Sequence, residues 1–594
     1  MSRILRLFVS HHLSRNALPR SPVRCHTLLS NPIPQQRQVH RWSIMRTPDK
    51  QFDSKRRKKS GKGKRDQNSG FDEVLQVDID NLLRKNKPEA ETESAAGAES
   101  PANKAPPKPT LPEPYTEIEV TVAEISSTGD GLALSENGDH VYVVPFTVPG
   151  DSVLVKVVRH FPPLSYSITD FIKVIEPGPQ RRDDQIGCKY FGKCSGCQLQ
   201  MMSYEDQLAH KKRIVEKAYA NFSGLIPELI PAIGDTFPSP LKYGYRTKLT
   251  PHFPAPSRKR DEPIPIGFTY KNQRRHLDIE DCPLGTDIIR AGLKSERKRV
   301  KEEIHKYKKG ATILLRESTH RIPKENASAE PNSTLAKQVS FQTCNKPEHE
   351  TGDLITIDRP TYTEDKRCVT NPNATSVEYI DDYFFSNTAG AFFQNNNSIL
   401  SGFTEYIRQH ALSPPSSDST TTTTTTTTPA TETPLKYLLD AYSGSGLFTI
   451  TLSPLFKSSL GVDVAESSIV SARQNARANS LPNTGFAAAD ATTLFKDVPY
   501  PADQTLLVID PPRKGCSEDF LRQLLAYGPK RVVYVSCNVH TQARDVAVMV
   551  QGDEKVGVRY DIESIRGFDF FPQTGHVEGV AVLNKVAIPV AQAA

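Results

Sequence analysis

Two strand-like runs in the last third of the chain end in groups that can do chemistry. Lys530-Arg531-Val532-Val533-Tyr534-Val535 closes on Ser536-Cys537-Asn538, and Leu506-Leu507-Val508-Ile509 closes on Asp510-Pro511-Pro512-Arg513-Lys514-Gly515-Cys516. Short apolar, β-branched runs read as buried strands, and open α/β sheets bind ligands beyond the carboxyl ends of their strands. That edge would hold a thiol nucleophile, Cys537, beside a binding carboxylate, Asp510. A lone cysteine is more often a small buried hydrophobe, so the reading depends on its surroundings. Glu578 follows Phe571-Pro572-Gln573-Thr574-Gly575-His576-Val577 and precedes the apolar run Val580-Ala581-Val582-Leu583. Taken alone it would be a surface acid at a strand end.

A second set of groups lies earlier. Cys188, Cys194 and Cys197 fall within ten residues of one another, and Cys282 lies far downstream in Asp281-Cys282-Pro283-Leu284. Four soft ligands suffice for zinc or an iron–sulfur cluster. The small Ser195 and Gly196 let backbone amides approach sulfur, which suits a cluster, and the spacing differs from the two Cys-x-x-Cys pairs of a zinc ribbon. A reduced, metal-free set of thiols is the plain alternative.

The elements that must position these groups read as follows. Residues 435–439 form a strand ending in Asp440-Ala441-Tyr442-Ser443-Gly444-Ser445-Gly446, with a helix from Phe448. Glycines there let the backbone turn tightly and approach a ligand. Leu460-Gly461-Val462-Asp463 is a second strand ending in an acid suited to ribose hydroxyls. A helix over residues 466–479 and a third strand–acid junction at Asp490 complete a nucleotide-type crossover. Upstream, a helix beginning near Asn396 carries Ile399, Leu400, Phe403 and Ile407 on one face and ends before Pro414. A low-complexity loop at 412–434, with nine threonines at 420–428, interrupts the domain.

Nearer the N-terminus, Ile118, Val120 and Val122 alternate with polar residues, and further short strands follow at 141–144, 153–158 and 168–174. Short strands with Gly-Asp turns predict a small closed barrel. Gly129-Asp130-Gly131-Leu132-Ala133 and Val144-Pro145-Phe146-Thr147-Val148-Pro149-Gly150-Asp151 resemble the TRAM domain, an OB-like barrel that binds RNA. Tyr243-Gly244-Tyr245-Arg246-Thr247-Lys248 and Phe268-Thr269-Tyr270-Lys271 interleave aromatic and basic groups, as base-stacking, phosphate-holding segments do. Residues 297–309 read as a basic helical surface, and residues 325–373 as a polar insertion or long loop.

Composition sets the outer bounds. The chain has 594 residues, enough for about three domains and tails. A net charge of +7 permits a polyanionic partner. Nine cysteines, odd in number and clustered, argue against a secreted disulfide framework. No uninterrupted apolar run reaches bilayer-spanning length, which predicts no membrane partner. Before Asp49 come eight arginines, no lysine and an apolar opening, a pattern that resembles a mitochondrial transit peptide. Lys55-Arg56-Arg57-Lys58-Lys59 reads as a nuclear signal or a phosphate-seeking tail. The expected compartment is therefore mitochondrion, nucleus or cytoplasm, with dual targeting left open. Pro, Ala, Ser, Lys and Glu dominate residues 1–112, which predicts a disordered basic leader.

These groups converge on one chemistry. A dinucleotide fold would want a third glycine where Thr449 stands, whereas S-adenosyl-L-methionine needs an adenosine site without phosphates. Uracil C5 is a poor nucleophile. A thiolate adding at C6 makes an enolate whose C5 attacks a methyl sulfonium, and a base then removes the C5 proton. Cys537 is the candidate nucleophile and Glu578 the candidate base.

Asp-Pro-Pro-Arg-Lys-Gly-Cys, Val-Ser-Cys-Asn, Phe-Pro-Gln-Thr-Gly-His-Val-Glu and Phe-Phe-Gln-Asn-Asn resemble the motifs of the RNA uracil-5 methyltransferases, over residues 115–583. The resemblance implies a class I, Rossmann-like α/β methyltransferase domain (381–594) behind a TRAM barrel (113–178) and a central α+β domain (179–380). It implies Cys537 as nucleophile, Glu578 as proton acceptor, and Gln394, Tyr442, Asp463 and Asp510 in the adenosylmethionine site. The four cysteines match the subset with a 4Fe-4S cluster, although Cys194-Ser195-Gly196-Cys197 departs from that subset's usual Cys-Gly-Gly-Cys. It favours the T-loop uridine of tRNA over ribosomal RNA, with the base extruded to reach Cys537. Three rivals stay in view. An RNA cytosine-5 methyltransferase would want a Pro-Cys, which the chain lacks. A non-catalytic RNA-binding factor would need none of Cys537, Glu578 and Asp510. A radical enzyme would want Cys-x3-Cys-x2-Cys, and Cys188, Cys194 and Cys197 are spaced differently.

Overall fold

The computed structural model describes residues 70–86, 111–256, 263–324, 334–342, 345–412, 434–490, 494–495 and 498–589. The arginine-rich opening, residues 55–59 and the threonine run lie outside the described residues. Among the described residues no helix is long and apolar enough to cross a membrane.

The expectation of an unfolded leader up to residue 112 is corrected by α1 (Gly70–Lys85). Leu75, Ile79 and Leu82, spaced as one helical face, are buried against Leu132, Val141, Val143 and Tyr166. Asp78 accepts the Ser127 N–H at 2.5 Å and pairs with Lys217 at 3.1 Å. A composition averaged over the whole leader conceals this sixteen-residue amphipathic window.

The barrel follows: β1 (Glu117–Ile125), β2 (Gly131–Leu134), β3 (Val141–Val144), β4 (Ser152–Phe161) and β5 (Tyr166–Glu176), closed in the order β1-β2-β3-β5-β4. Alternating Val120, Val122, Val153, Val155 and Val157 fill its interior. Here β2 begins at Gly131, which reads in sequence as part of a turn.

The central region contains α2 (Tyr204–Phe222), β6 (Gly234–Phe237), β7 (Lys248–Leu249), β8 (His252–Phe253), β9 (Gly267–Thr269), β10 (His276–Asp278), α3 (Asp287–Glu302), β11 (Ala311–Thr312), β12 (Leu315–Pro323), α4 (Thr334–Phe341), β13 (Glu350–Asp358), β14 (Tyr362–Val369), β15 (Thr375–Ile380) and β16 (Tyr383–Thr388). Two four-stranded sheets, β10-β9-β8-β11 and β13-β14-β12-β7, pack on the Ile288, Ile289, Leu293 and Val300 face of α3. The long loop expected at 325–373 is partly a hairpin, β13–β14. Its faces alternate half-buried and exposed with mainly polar side chains, so hydrophobicity alone gives no period there. Two pieces of the region belong in space to the last domain: β6 pairs with that domain's sheet, and α2 packs on one of its helices.

The last domain comprises α5 (Leu400–Leu412), β17 (Tyr437–Ala441), α6 (Leu447–Leu452), β18 (Ser458–Asp463), α7 (Glu466–Ala478), β19 (Thr484–Ala488), β20 (Thr505–Ile509), α8 (Glu518–Tyr527), β21 (Arg531–Ser536), α9 (Val539–Gln551), β22 (Val558–Phe568) and β23 (Glu578–Ala587). One sheet of order β19-β18-β17-β20-β21-β23-β22-β6 runs through it, with β17 to β21 parallel. The chain order reverses between β17 and β20, the switch point where open α/β sheets bind ligands. The reversed strand β23 pairs antiparallel with β21, so its first residues reach the edge where the parallel strands end.

Candidate active site

Strand ends assemble the site. Tyr442, Ser443 and Gly444 follow β17, Asp463 ends β18, Asp510 follows β20 and Cys537 follows β21. Ser536 pairs with Gly579 in the antiparallel register, which sets Cys537 opposite Glu578 at the mouth of the ladder. Directly opposed residues on neighbouring strands project to the same face, with Cα atoms about 5 Å apart. All ten residues singled out in the sequence line one cavity of about 1240 Å³: Cys537 and Glu578, the four cofactor residues, and the four cysteines.

Burial sets the electrostatics. Glu578 is 5% exposed, and desolvation pushes its carboxyl from 4.5 up to about 7, with Arg513 pulling the other way. Burial pushes the Cys537 thiol up to about 12, reinforced by Glu578 and Asp510 and opposed by Arg513. Desolvation also holds Asp510 well above the usual carboxylate range, with Glu578 and Asp440 adding to it. The cavity therefore favours neutral acids and a neutral thiol, and a positive charge arriving there would stabilise their ionised forms.

Arg513 is the functional side chain that the sequence reading missed. It lies within the Asp-Pro-Pro-Arg stretch, but its use depends on a fold that turns it toward Cys537 and Glu578. Asn538 Nδ2 and Thr541 Oγ1 donate to its carbonyl at 3.0 and 3.1 Å. Asp545, fully buried on α9, accepts the Cys516 N–H at 2.7 Å and the Tyr534 hydroxyl at 2.6 Å, tying the same loop to the helix behind Cys537.

The opposite half of the cavity suits an adenosine-bearing ligand. Tyr442, Gly444 and Gly446 all have positive φ, at 63°, 54° and 93°, and make the tight turn into α6. Buried Asp440 accepts the Thr449 N–H at 2.8 Å and hydroxyl at 2.6 Å, holding the first turn of that helix. Asp463 accepts Gly444 N–H at 3.0 Å and Ala465 N–H at 2.8 Å and keeps lone pairs for further donors. Ser443 Oγ is buried on the cavity wall without a hydrogen-bond partner among the described residues. Apolar Phe393, Leu447 and Phe448 complete this side, and Phe392 stands at the rim 77% exposed.

The loop that carries Glu578 is gripped from several directions. Lys211 and Asp569 form a fully buried ion pair, Lys211 Nζ donates to the Phe571 carbonyl at 2.9 Å, and Tyr204 donates to Asp569 at 2.9 Å. Gln573, at φ 73°, exchanges two hydrogen bonds with Gln207, and its carbonyl accepts the N–H groups of Gln198 and Leu199.

The four cysteines face the same cavity from the central region. The Gly196 N–H donates to Cys194 Sγ at 3.4 Å, and backbone N–H groups lie near the Cys188 and Cys282 sulfurs. Such donors suit sulfur bound to a metal. Yet among the described residues no group of three or more His, Cys, Asp or Glu stands close enough to be a formed metal site. The thiols come from two separate segments and are neighbours rather than an assembled ligand set.

The sheet order, the glycine turn after its first strand and the acids along one edge define a class I methyltransferase, with a thiol and a carboxylate set where a methyl group would be delivered. The chain belongs to the tRNA (uracil-5-)-methyltransferase family, whose model matches residues 408–586. It is 42% identical over 476 residues to tRNA (uracil(54)-C(5))-methyltransferase of Schizosaccharomyces pombe, covering 80% of this chain and 79% of that protein. It is 40% identical over 498 residues to the Saccharomyces cerevisiae protein of the same name, covering 79% and 73%. The fold matches that of Pyrococcus abyssi tRNA (uracil-54, C5)-methyltransferase in complex with S-adenosyl-L-homocysteine. That match has a TM-score of 0.51 and 22% identity, over 78% of this chain and 100% of the other.

Proposed function

We propose that this protein is an adenosylmethionine-dependent methyltransferase that forms 5-methyluridine at position 54 of tRNA. The observation that carries the reading is the register that sets Cys537 opposite Glu578 at the ligand-binding edge of the sheet. Asp463, the glycine turn, Tyr442, Gln394 and Asp510 are the groups that would hold adenosylmethionine, which supplies an electrophilic methyl group when bound. The unpaired Ser443 hydroxyl and the spare lone pairs of Asp463 fit such a ligand.

The chain's own residues account for the rest. Once its proton has left, Cys537 Sγ bonds to uracil C6, and the C5–C6 electron pair moves onto C5 and O4, making C5 nucleophilic. After C5 carries the methyl group, Glu578 takes the C5 proton. The C5–H electron pair then restores the double bond and expels Sγ. A base held at about 7 is matched to neutral pH. The target base must leave its stack to reach Cys537, and exposed Phe392 offers a face on which a displaced base can stack.

Three finer points belong to the same reading. The barrel is a TRAM domain that contributes to RNA binding. The four cysteines hold a 4Fe-4S cluster, a reading supported by four soft donors on one cavity wall and the Gly196 N–H on Cys194 Sγ. Anaerobic purification should then yield a brown protein with about four irons and four sulfides per chain. The arginine-rich opening and residues 55–59 direct the protein to mitochondria, the nucleus or both.

The deciding experiment is nucleoside mass spectrometry of RNA from cells with and without the gene, alongside reconstitution with Cys537→Ala. Loss of 5-methyluridine from tRNA, and loss of the adduct with 5-fluorouracil RNA in the variant, are expected. Loss from ribosomal RNA alone would keep the chemistry and change the substrate. Persistent trapping by the variant would remove Cys537 from its role.

A further inference from the structure

Two basic stretches leave the central region, and the structure treats them differently. In α3 and the segment after it, Arg297 is held by Asp278 at 2.7 Å, Arg299 by Glu296 at 2.7 Å and Glu303 at 2.8 Å, and Lys306 by Glu303 at 2.8 Å. Three of the seven lysines and arginines over residues 297–309 are thus paired. The hairpin between β9 and β10 instead gathers its cations at one tip. At its tip Arg274 is exposed and has no hydrogen-bond or ion-pair partner among the described residues. Arg275, also exposed, lies over the Tyr270 ring at 4.6 Å from its centroid.

The tip is nonetheless held firmly. Lys271 pairs with Asp130 of the barrel at 2.8 Å, Asn272 Nδ2 donates to the Thr169 carbonyl of β5 at 3.1 Å, and Lys271 N–H donates to the Lys193 carbonyl at 2.8 Å. That last bond brings in Lys193, a third exposed cation, whose side chain has no hydrogen-bond or ion-pair partner among the described residues. At the hairpin's root, Phe268 lines the same cavity as Cys537.

We propose that Lys193, Arg274 and Arg275, with the Tyr270 ring, form a fixed clamp for the RNA backbone just outside the catalytic cavity. This rests on the RNA-methylating reading above. Strand β9 (Gly267–Thr269) runs from Phe268 at the cavity wall straight into the turn that carries Asn272 and the two arginines. The clamp therefore grips phosphates flanking the base that reaches Cys537. Guanidinium groups bond phosphate through paired N–H donors, and the strapped hairpin presents them with little ordering left to do on binding. Contacts of this kind position RNA without reading its sequence.

The test is tRNA binding by the full-length protein, followed by fluorescence anisotropy across a salt series. Arg274→Ala/Arg275→Ala is compared with Lys308→Ala/Lys309→Ala, which removes the same charge at the far edge of the same sheet. The hairpin pair should weaken binding about tenfold at low salt and lower the slope of log Kd against log salt by about 1.5 to 2. It should leave kcat at saturating tRNA and the affinity for adenosylmethionine unchanged. The distal pair should leave the slope as in the wild type. Equal losses from both pairs, or no change in slope from the hairpin pair, would overturn the clamp. A wild-type protein that binds tRNA but forms no 5-methyluridine would sink the enzymatic reading instead, and the slope would still judge the clamp.

Discussion

Replacing Glu578 by Gln should make the protein more stable and almost inactive at once. The carboxyl is buried, and its pKa rises from 4.5 to about 7 chiefly through desolvation. The folded chain thus binds that proton more tightly than the unfolded chain. The favourable contribution is fully present below pH 4.5 and is lost as pH rises through about 7. At about 1.4 kcal/mol per pH unit, holding the ionised group in place costs about 3 kcal/mol at pH 8. Glutamine keeps the shape and removes the charge, so Glu578→Gln should unfold later in urea at pH 8, and the gain should shrink toward zero near pH 4.5. Loss of a positioned general base slows turnover by about 10² to 10⁴. Because Cys537 is intact, the methylated base should remain bonded to Sγ, visible as an RNA-shifted band on a denaturing gel. Wild-type kcat should rise with pH through about 7, and the residual rate of the variant should not. A variant less stable than wild type at pH 8, or one that turns over freely without an adduct, would refute this account of Glu578.

Other perturbations separate the roles of the remaining groups. Asp463→Ala removes the acceptor for two backbone N–H groups at the glycine turn and should weaken adenosylmethionine binding about tenfold or more by calorimetry; an unchanged Kd would remove Asp463 from the cofactor site. Lys211→Met leaves the buried Asp569 carboxylate uncompensated and should cost about 3–5 kcal/mol in denaturant unfolding. A loss under about 1 kcal/mol would mean that the pair contributes little net stability. Ile79→Asp places a charge in the fully buried seam between α1 and the barrel, so hydrogen exchange should accelerate in residues 70–86 and in β2 and β3. Unchanged protection in all three segments would count against α1 being part of the folded unit.

What could be read beforehand divides by range of interaction. Strand ends at Asp463, Asp510 and Cys537 were legible because a buried parallel strand is a local signal: a β-branched run with a polar residue after it. The pairing of Cys537 with Glu578 was reached through the needs of the chemistry, whereas the physical cause is the register of β21 with β23, some forty residues apart. Nothing local marks Arg513, since its role depends on Asn538, Thr541 and Asp545 holding its loop. Helix α1 was lost because its low average hydrophobicity matches that of its surroundings, and only its spacing separates the two. The hairpin β13–β14 failed for the complementary reason, having strand alternation with polar side chains on both faces. The placement of α2 and β6 against the last domain is a matter of topology that no local pattern reports.

That placement has a mechanical consequence. Gln573 sits five residues before Glu578 in a left-handed conformation that a non-glycine residue holds only when its surroundings enforce it. The enforcing groups come from α2, through Gln207 and Lys211, and from the segment just after Cys197, through the N–H groups of Gln198 and Leu199. Tyr245 adds a hydrogen bond to the Pro572 carbonyl at 3.0 Å, and Gly575 packs directly against Gly129 of the barrel. A Cβ at either of these glycines would crowd its surroundings, at 3.2 Å from Gln198 for Gly129 and 3.3 Å from the Gly129 backbone for Gly575. The barrel, the cysteine segment and α2 therefore jointly hold the turn that leads into β23, at whose first residue Glu578, the proposed base, stands beside Cys537, the proposed nucleophile, just past β21. Movement of the barrel or of α2 relative to the sheet would strain the turn that ends at Glu578.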